Sequence, residues 1–141
     1  MNIVRHAGCV PGRIRRIAST RFPGVMHWGV EDWWPDVNGQ PRMWHAQKGD
    51  VLRCTSYAEF SSGQPSEIVW TPQSYAERVS VIQRLESIEG LPWNLSSANC
   101  EQVVRWAVEG RAYSVQLAVG VGVGVAIVFF AGAAALLASR A

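Results

Sequence analysis

The hydrophobic and polar positions divide the first 111 residues into a strand-rich part followed by a helical part. Short segments rich in Val, Ile and Trp alternate with clusters of Gly, Pro, Asn and Asp, a pattern typical of strands joined by turns. The predicted strands lie just after a turn at residues 11–12 and at residues 25–33, 42–47, 51–60 and 66–70. Consecutive strands with short connections favour an antiparallel sheet.

The period of the apolar positions becomes helical after residue 70. Thr71 and Pro72 predict the start of a helix, as its N-cap and first helical residue. The predicted buried stripe of this helix consists of Tyr75, Val79, Ile82 and Leu85. A second helix is predicted over residues 99–109, where Asn99 and Gln102 have the spacing of a capping box. Strands followed by helices predict an α+β domain over residues 1–111, with a small antiparallel sheet packed on helices.

The charges indicate a different character for the end of the chain. Arg140 is the only Asp, Glu, Lys or Arg in the last 30 residues, and residues 115–138 are nearly all apolar or Gly. Because a bilayer-spanning helix needs about 20 such residues, we expect one C-terminal transmembrane helix within a membrane anchor over residues 112–141. The alternative is a core helix, although so small a domain rarely surrounds one this long. Gly120 and Gly124 have the GxxxG spacing that favours a weak homodimer.

Length and composition exclude several classes of protein. The chain has 141 residues, too few for a barrel enzyme or a two-domain dehydrogenase. Three widely spaced cysteines argue against a disulfide-stapled secreted scaffold, and seven tryptophans argue against disorder. No signal peptide opens the sequence, so we expect a single-pass, tail-anchored protein with its domain in the cytosol. The sequence contains no P-loop, dinucleotide-binding or zinc-finger motif, so we expect neither a cofactor nor a metal.

A basic stretch covers the first 30 residues, which contain no acid. Its arginines are Arg5, Arg13, Arg15, Arg16 and Arg21. The stretch is compatible with a solvated strand face, with binding to anionic lipid headgroups or with binding to nucleic acid. The predicted membrane anchor favours lipid, so we expect a phospholipid membrane as a partner and no nucleic acid.

Cys100 is the strongest candidate for a reactive residue. It falls in the first turn of the second predicted helix, where free N–H groups and the helix dipole favour a lowered thiol pKa. A nucleophilic cysteine also needs a base and a group that orients the base. His27 and His45 lie on strands predicted to form a hairpin, which can place them about 5 Å apart on one face. This predicts a triad of Cys100 as nucleophile, His27 as base and His45 as the partner that fixes the His27 tautomer.

Other interpretations of these three residues remain open. A cysteine in a helix is often a small buried residue, and a histidine on a strand is often structural. A zinc site formed by His27 and His45 with Cys100 or Cys54 is a further alternative. The sequence contains no ligand pair with the close spacing typical of structural zinc.

Two motifs resemble those of the lecithin:retinol acyltransferase-like proteins, circularly permuted relatives of papain and of bacterial cell-wall peptidases. His-Trp-Gly-Val at His27 resembles the strand motif of the family, and Asn-Cys-Glu at Asn99 resembles its nucleophile box. A Pro-Gly turn at Pro11 and the second histidine, His45, extend the resemblance over nearly the whole chain. The small phospholipase A/acyltransferase subgroup also ends in one membrane helix.

The resemblance implies a permuted papain-like thiol hydrolase fold and a membrane-bound enzyme of lipid metabolism. Cys100 would cleave a glycerophospholipid ester, hold the acyl group as a thioester and pass it to water, a lysophospholipid or an amine. His27 would be the base and His45 its orienting partner. Alkyl chains would need an apolar approach, for which the candidates are Trp28, Trp33, Trp34 and Trp93. The alternatives are a cysteine peptidase or amidase of the same superfamily, and a non-enzymatic membrane-binding relative.

Three positions depart from the family pattern. Gln102 stands where the subgroup usually has a histidine, Glu31 where an aromatic residue usually follows the His-Trp strand, and Arg13 where an acid is expected after the Pro-Gly turn. None of these departures removes a member of the predicted triad. They leave open which lipid the pocket would accept.

Overall fold

The computed structural model describes residues 8–20, 23–47, 49–94, 99–111 and 116. Its strands are β1 (Ile14–Ala18), β2 (Met26–Pro35), β3 (Pro41–His45), β4 (Arg53–Thr55) and β5 (Glu67–Trp70). Its helices are α1 (Tyr57–Ser61), α2 (Tyr75–Ser87) and α3 (Cys100–Glu109). The predicted α+β class with a small antiparallel sheet is confirmed.

The predicted membrane anchor over residues 112–141 lies outside the described residues, apart from Gln116. The predicted dimer face of Gly120 and Gly124 lies outside them as well. Among the helices that the structure describes, none has the length and apolar character needed to cross a bilayer.

β2 is the central strand of a five-stranded sheet with the order β4-β3-β2-β1-β5. Each neighbouring pair is antiparallel. β1 pairs with the first half of β2, where Ile17 stands opposite His27. β3 pairs with the second half, where Trp44 stands opposite Val30. Because β3 ends at His45, the first residues of β2 extend beyond it, and this end of β2 carries the candidate site.

The two faces of the sheet carry separate cores because side chains alternate along a strand. On one face, Trp28 and Trp44 pack with buried residues of α2 and α3. On the other face, Phe60 of α1 contacts the rings of both His27 and His45. The predicted placement of the two histidines on one face of a hairpin therefore agrees with the structure.

The strand predicted over residues 51–60 is wrong in its second half. β4 ends at Thr55, and the chain then forms α1. Ser56 caps this helix, because its side chain accepts a hydrogen bond from the N–H of Glu59 at 3.2 Å. Ser-x-x-Glu is a helix-start signal, and here it outweighs the strand preference of the neighbouring aromatic residues. The helical turn carries Phe60 under the sheet, next to the two histidines.

The predicted start of α2 is also wrong. Ser74, not Thr71, is the N-cap, and its side chain accepts the N–H three residues on at 3.1 Å. Tyr75 is therefore the first helical residue and is exposed, although the sequence pattern places it in the buried stripe. Ile82 and Leu85 of that stripe are fully buried, as predicted.

Gly29 is the point where Phe60 approaches the β2 backbone most closely. A Cβ atom at Gly29 would lie 2.6 Å from Cε2 of Phe60 and 3.2 Å from Cε of Met43. Because the Phe60 ring also packs against two histidines, it has little freedom to move aside. We expect Gly29→Ala to lower the free energy of unfolding by about 1–3 kcal/mol, measured by urea denaturation.

The control for Gly29→Ala is the same change combined with Phe60→Leu. A smaller side chain at residue 60 makes room for the new methyl group, so the double variant should lose less stability than the two single losses added together. Simple additivity of the two losses would show that the contact with Phe60 is not the reason for glycine at this position.

Candidate active site

Cys100 is the first residue of α3, in agreement with the predicted helix start. Oδ1 of Asn99 accepts the N–H of Gln102 at 2.9 Å, and Oε1 of Gln102 accepts the N–H of Asn99 at 3.0 Å. The predicted capping box is thus confirmed. It fixes the first turn of α3 at the cysteine and leaves the Cys100 N–H among the donors that lack a partner within the helix.

Cys100 meets the sheet at the open edge of β2. The N–H of Glu31 donates to the carbonyl of Arg13 at 2.9 Å, so the odd-numbered residues of β2 direct their backbone groups to β1. The even-numbered residues Met26 and Trp28 direct theirs to the other edge, beyond the end of β3. There the Cys100 sulfur lies 3.9 Å from the carbonyl oxygen of Met26, and the N–H of Trp28 donates to it. The sulfur therefore contacts the backbone on both sides of the residue between them.

That residue is His27, and its ring contacts His45. Nε2 of His27 lies 3.0 Å from Nδ1 of His45, and the two ring planes are inclined by 76°. Antiparallel pairing of β2 and β3 brings the two side chains together. The structure thus places all three predicted site residues at one end of β2, with the histidines in direct contact and Cys100 against the backbone that flanks His27.

Thr55 extends the site and is absent from the sequence-based prediction. Its Oγ1 lies 2.7 Å from Nε2 of His45 and donates to the carbonyl oxygen of Ser56 at 3.2 Å. Thr55 is buried on β4 and stands opposite Met43 of β3, two residues from His45. The contact depends on the register between β3 and β4, which no local sequence motif encodes.

Burial lowers the pKa of both histidines. The pKa of His27 is lowered to about 4 and that of His45 to about 3, chiefly because a charged ring loses its solvent there. The charges of His27 and Arg53 lower the pKa of His45 further. Phe60 packs against both rings at centroid distances of 5.4 and 5.5 Å and excludes water from this side. Both rings are therefore neutral at pH 7, and each has one N–H and one lone pair.

The expected lowering of the Cys100 thiol pKa is wrong, because the pKa is raised above its ordinary value. Burial is the largest cause, and the negative charge of Glu101 adds to it. The N–H groups of Trp28, Glu101 and Cys100 lower the pKa, as expected at a helix start, but they do not offset the loss of solvent. The resting site is therefore a neutral thiol with neutral imidazoles, and the thiol proton must leave during attack.

Gln116 connects the site to the C-terminal part of the chain. Its side-chain amide accepts the N–H of Met26 at 2.8 Å and donates to the carbonyl of Met26 at 3.4 Å. It also donates to the buried carboxylate of Glu101 at 3.2 Å. One side chain thus bonds the residue before His27 and the residue after Cys100.

Two of the three departures from the family pattern contact each other. Glu31 is fully buried, and its Oε1 accepts hydrogen bonds from Nε of Arg13 at 2.7 Å and from Nε of Arg15 at 2.6 Å. The acid missing at position 13 and the aromatic residue missing at position 31 are thus replaced by an ion pair. Gln102, the third departure, forms the capping box of α3. All three residues therefore have a structural role in this fold.

The described part of the basic stretch is paired with acids. Arg16 bonds Glu67 at 2.8 Å, and the two arginines that precede it in β1 and its turn bond Glu31. Arg5 and Arg21 lie outside the described residues. The paired arginines agree with the strand-face interpretation, and binding of the stretch to anionic lipid stays a prediction.

The tryptophans considered for an acyl-chain approach lie in different places. Trp28 is buried in the core, and Trp33 and Trp93 pack against that core. Trp34 is 60% exposed, but it lies seven residues from His27, about 23 Å along an extended strand. Trp34 is therefore too distant to line the site, and the other three contribute to core packing.

The zinc alternative finds no support in the described part of the chain. Within it, no three His, Cys, Asp or Glu side chains are arranged to hold a metal ion. His27 and His45 direct ring nitrogens at each other at hydrogen-bond distance, which leaves no space for an ion between them. Cys54 packs against the core, and burial raises the pKa of its thiol to about 12, which disfavours the thiolate that zinc requires.

Comparison with known proteins adds no family assignment. No protein-family model matches the chain, and no curated protein matches it significantly. The interpretation of the site therefore depends on its geometry and on the two short motifs.

Proposed function

We propose that the chain is a membrane-anchored thiol acyltransferase or phospholipase with a permuted papain-like fold. The observation that carries the proposal is the Cys100 thiol at the start of α3, held against the backbone that flanks the His27–His45 pair. Strand histidines that precede a helix cysteine support the permuted order that the motifs imply. A C-terminal transmembrane helix within residues 112–141 is part of the same proposal.

In the proposed reaction, the Cys100 sulfur attacks the carbonyl carbon of a glycerophospholipid ester while His27 takes the thiol proton. N–H groups at the start of α3, among them that of Cys100, stabilise the oxyanion, and His45 stabilises the imidazolium. Cleavage of the C–O bond leaves a thioester on Cys100, and His27 returns the proton to the departing lysophospholipid. Water, a lysophospholipid or an amine then attacks the thioester and restores the thiol.

The position of Gln116 supports a lipid as the acyl donor. Gln116 is the second residue of the apolar segment 115–138, and it bonds Met26 and Glu101 beside the site. If the segment is a membrane anchor, it begins next to the nucleophile. The bilayer would then hold ester groups at high effective concentration near Cys100.

The test uses the full-length chain reconstituted in phosphatidylcholine vesicles, with released fatty acid and lysophospholipid as the readout. We expect release by the wild type and by Cys9→Ala, a matched control at another free cysteine, and background release by Cys100→Ala. Cys100-dependent cleavage of peptides or amides without lipid cleavage would favour the peptidase alternative. Equal release by wild type and Cys100→Ala would reject thiol catalysis.

A further inference from the structure

We propose that Thr55 is a positioning residue that fixes the tautomers of both histidines and makes Nδ1 the basic nitrogen of His27. The catalytic consequence rests on the proposed function. The tautomers themselves are a property of the folded domain and can be measured without a substrate.

The hydroxyl of Thr55 determines the proton position on His45. Thr55 has a single hydroxyl proton, and it donates this proton to the carbonyl oxygen of Ser56 at 3.2 Å. Its oxygen can therefore only accept from Nε2 of His45, which lies 2.7 Å away. Nε2 must consequently carry the single proton of the neutral His45 ring.

The proton position on His45 in turn determines that on His27. With Nε2 protonated, Nδ1 of His45 is a lone pair, and it faces Nε2 of His27 at 3.0 Å. Two lone pairs do not make a stable contact at this distance, so Nε2 of His27 carries the proton. Nδ1 of His27 is left as the lone pair.

This arrangement puts the basic nitrogen on the side of the nucleophile. In a histidine, Nδ1 is the ring nitrogen closer to the residue's own backbone. The Cys100 sulfur contacts that backbone on both sides of His27, at Met26 and at Trp28. With the opposite tautomers, the lone pair of His27 would point at His45 and could not accept the thiol proton.

Thr55→Val is the informative change because it keeps the shape of the side chain and removes the hydroxyl. The Nε2–H of His45 then has lost its acceptor in a buried setting, which is costly. Moving the proton of His45 to Nδ1 and that of His27 to its own Nδ1 relieves the cost. Thr55→Ser retains the hydroxyl and should retain the wild-type tautomers.

The experiment is ¹⁵N NMR of the imidazole nitrogens in the full-length chain at pH 7, combined with acyl-transfer rates. We expect protonated Nε2 and unprotonated Nδ1 on His27 and His45 in the wild type and in Thr55→Ser. Thr55→Val should reverse or mix these states and slow acyl transfer about ten- to a hundred-fold, with kcat affected more than KM.

The two proposals fail in different ways. A wild-type spectrum with the proton on Nδ1 of either histidine overturns the role of Thr55, and so does a Thr55→Val spectrum identical to that of the wild type. If Thr55→Val does not fold, the wild-type spectrum and Thr55→Ser still decide. The expected tautomers in a wild type that transfers no acyl group would support the role of Thr55 and reject the proposed function.

Discussion

Replacing His27 with glutamine is expected to slow thioester formation on Cys100 by about 10²- to 10⁴-fold, the usual contribution of a general base. The glutamine amide nitrogen can stand near the position of Nε2 and donate to Nδ1 of His45, so this hydrogen bond can persist. The basic nitrogen is lost. Its loss matters because burial raises the pKa of the Cys100 thiol, so attack requires a proton acceptor. The measurement is the single-turnover rate of thioester formation in phospholipid vesicles at pH 7.

His45→Gln is the matched comparison for His27→Gln. It removes the partner that orients the base but leaves the base in place, so we expect a smaller loss of rate. Circular dichroism of both variants checks that the fold is retained. A His27→Gln protein that forms the thioester at the wild-type rate would show that His27 is not the base.

Acidification from pH 7 to pH 4 is expected to lower the free energy of unfolding by about 3 kcal/mol for each of His27 and His45. Their pKa values are about 4 and about 3 in the folded protein, against an ordinary value of 6.5. Between these values the unfolded chain binds protons that the folded chain does not bind. The stability is therefore fully present above pH 6.5 and is lost as the pH falls towards the folded pKa values.

Urea denaturation at pH 7, 5.5 and 4 measures this loss. The control is the double variant His27→Gln, His45→Gln, which keeps the carboxylates but lacks the two buried rings. Its stability should fall less steeply over the same pH range, because titration of the carboxylates is common to both proteins. Equal acid slopes for the wild type and the double variant would contradict the burial of two neutral histidines.

Local signals in the sequence predict most of the sheet but not every helix boundary. The alternation of Val and Trp from residue 25 predicts β2, and the Asn99–Gln102 pair predicts the start of α3. α1 is missed because aromatic and polar residues between 51 and 60 also fit a strand. The Ser-x-x-Glu spacing at Ser56 and at Ser74 is the signal that locates the true starts of α1 and α2.

The candidate site is predictable as far as it depends on residue type and strand pairing. Hairpin geometry predicts contact between His27 and His45, and the helix start predicts where Cys100 stands. Thr55 and Gln116 are not predictable because they reach the site through strand register and through a contact 90 residues apart in sequence. The raised thiol pKa depends on burial, which a helix position alone does not determine.

The central claim is that Cys100 carries the acyl group, and intact-protein mass spectrometry tests it most directly. The full-length chain is incubated in phosphatidylcholine vesicles with a single type of acyl chain, quenched in acid, weighed and then fragmented. The proposed mechanism predicts a mass increase of one acyl group in place of one hydrogen, located on Cys100, present in Cys9→Ala and absent in Cys100→Ala. Release of lysophospholipid by a protein whose Cys100 stays unmodified, or an adduct only on Cys9 or Cys54, would contradict it.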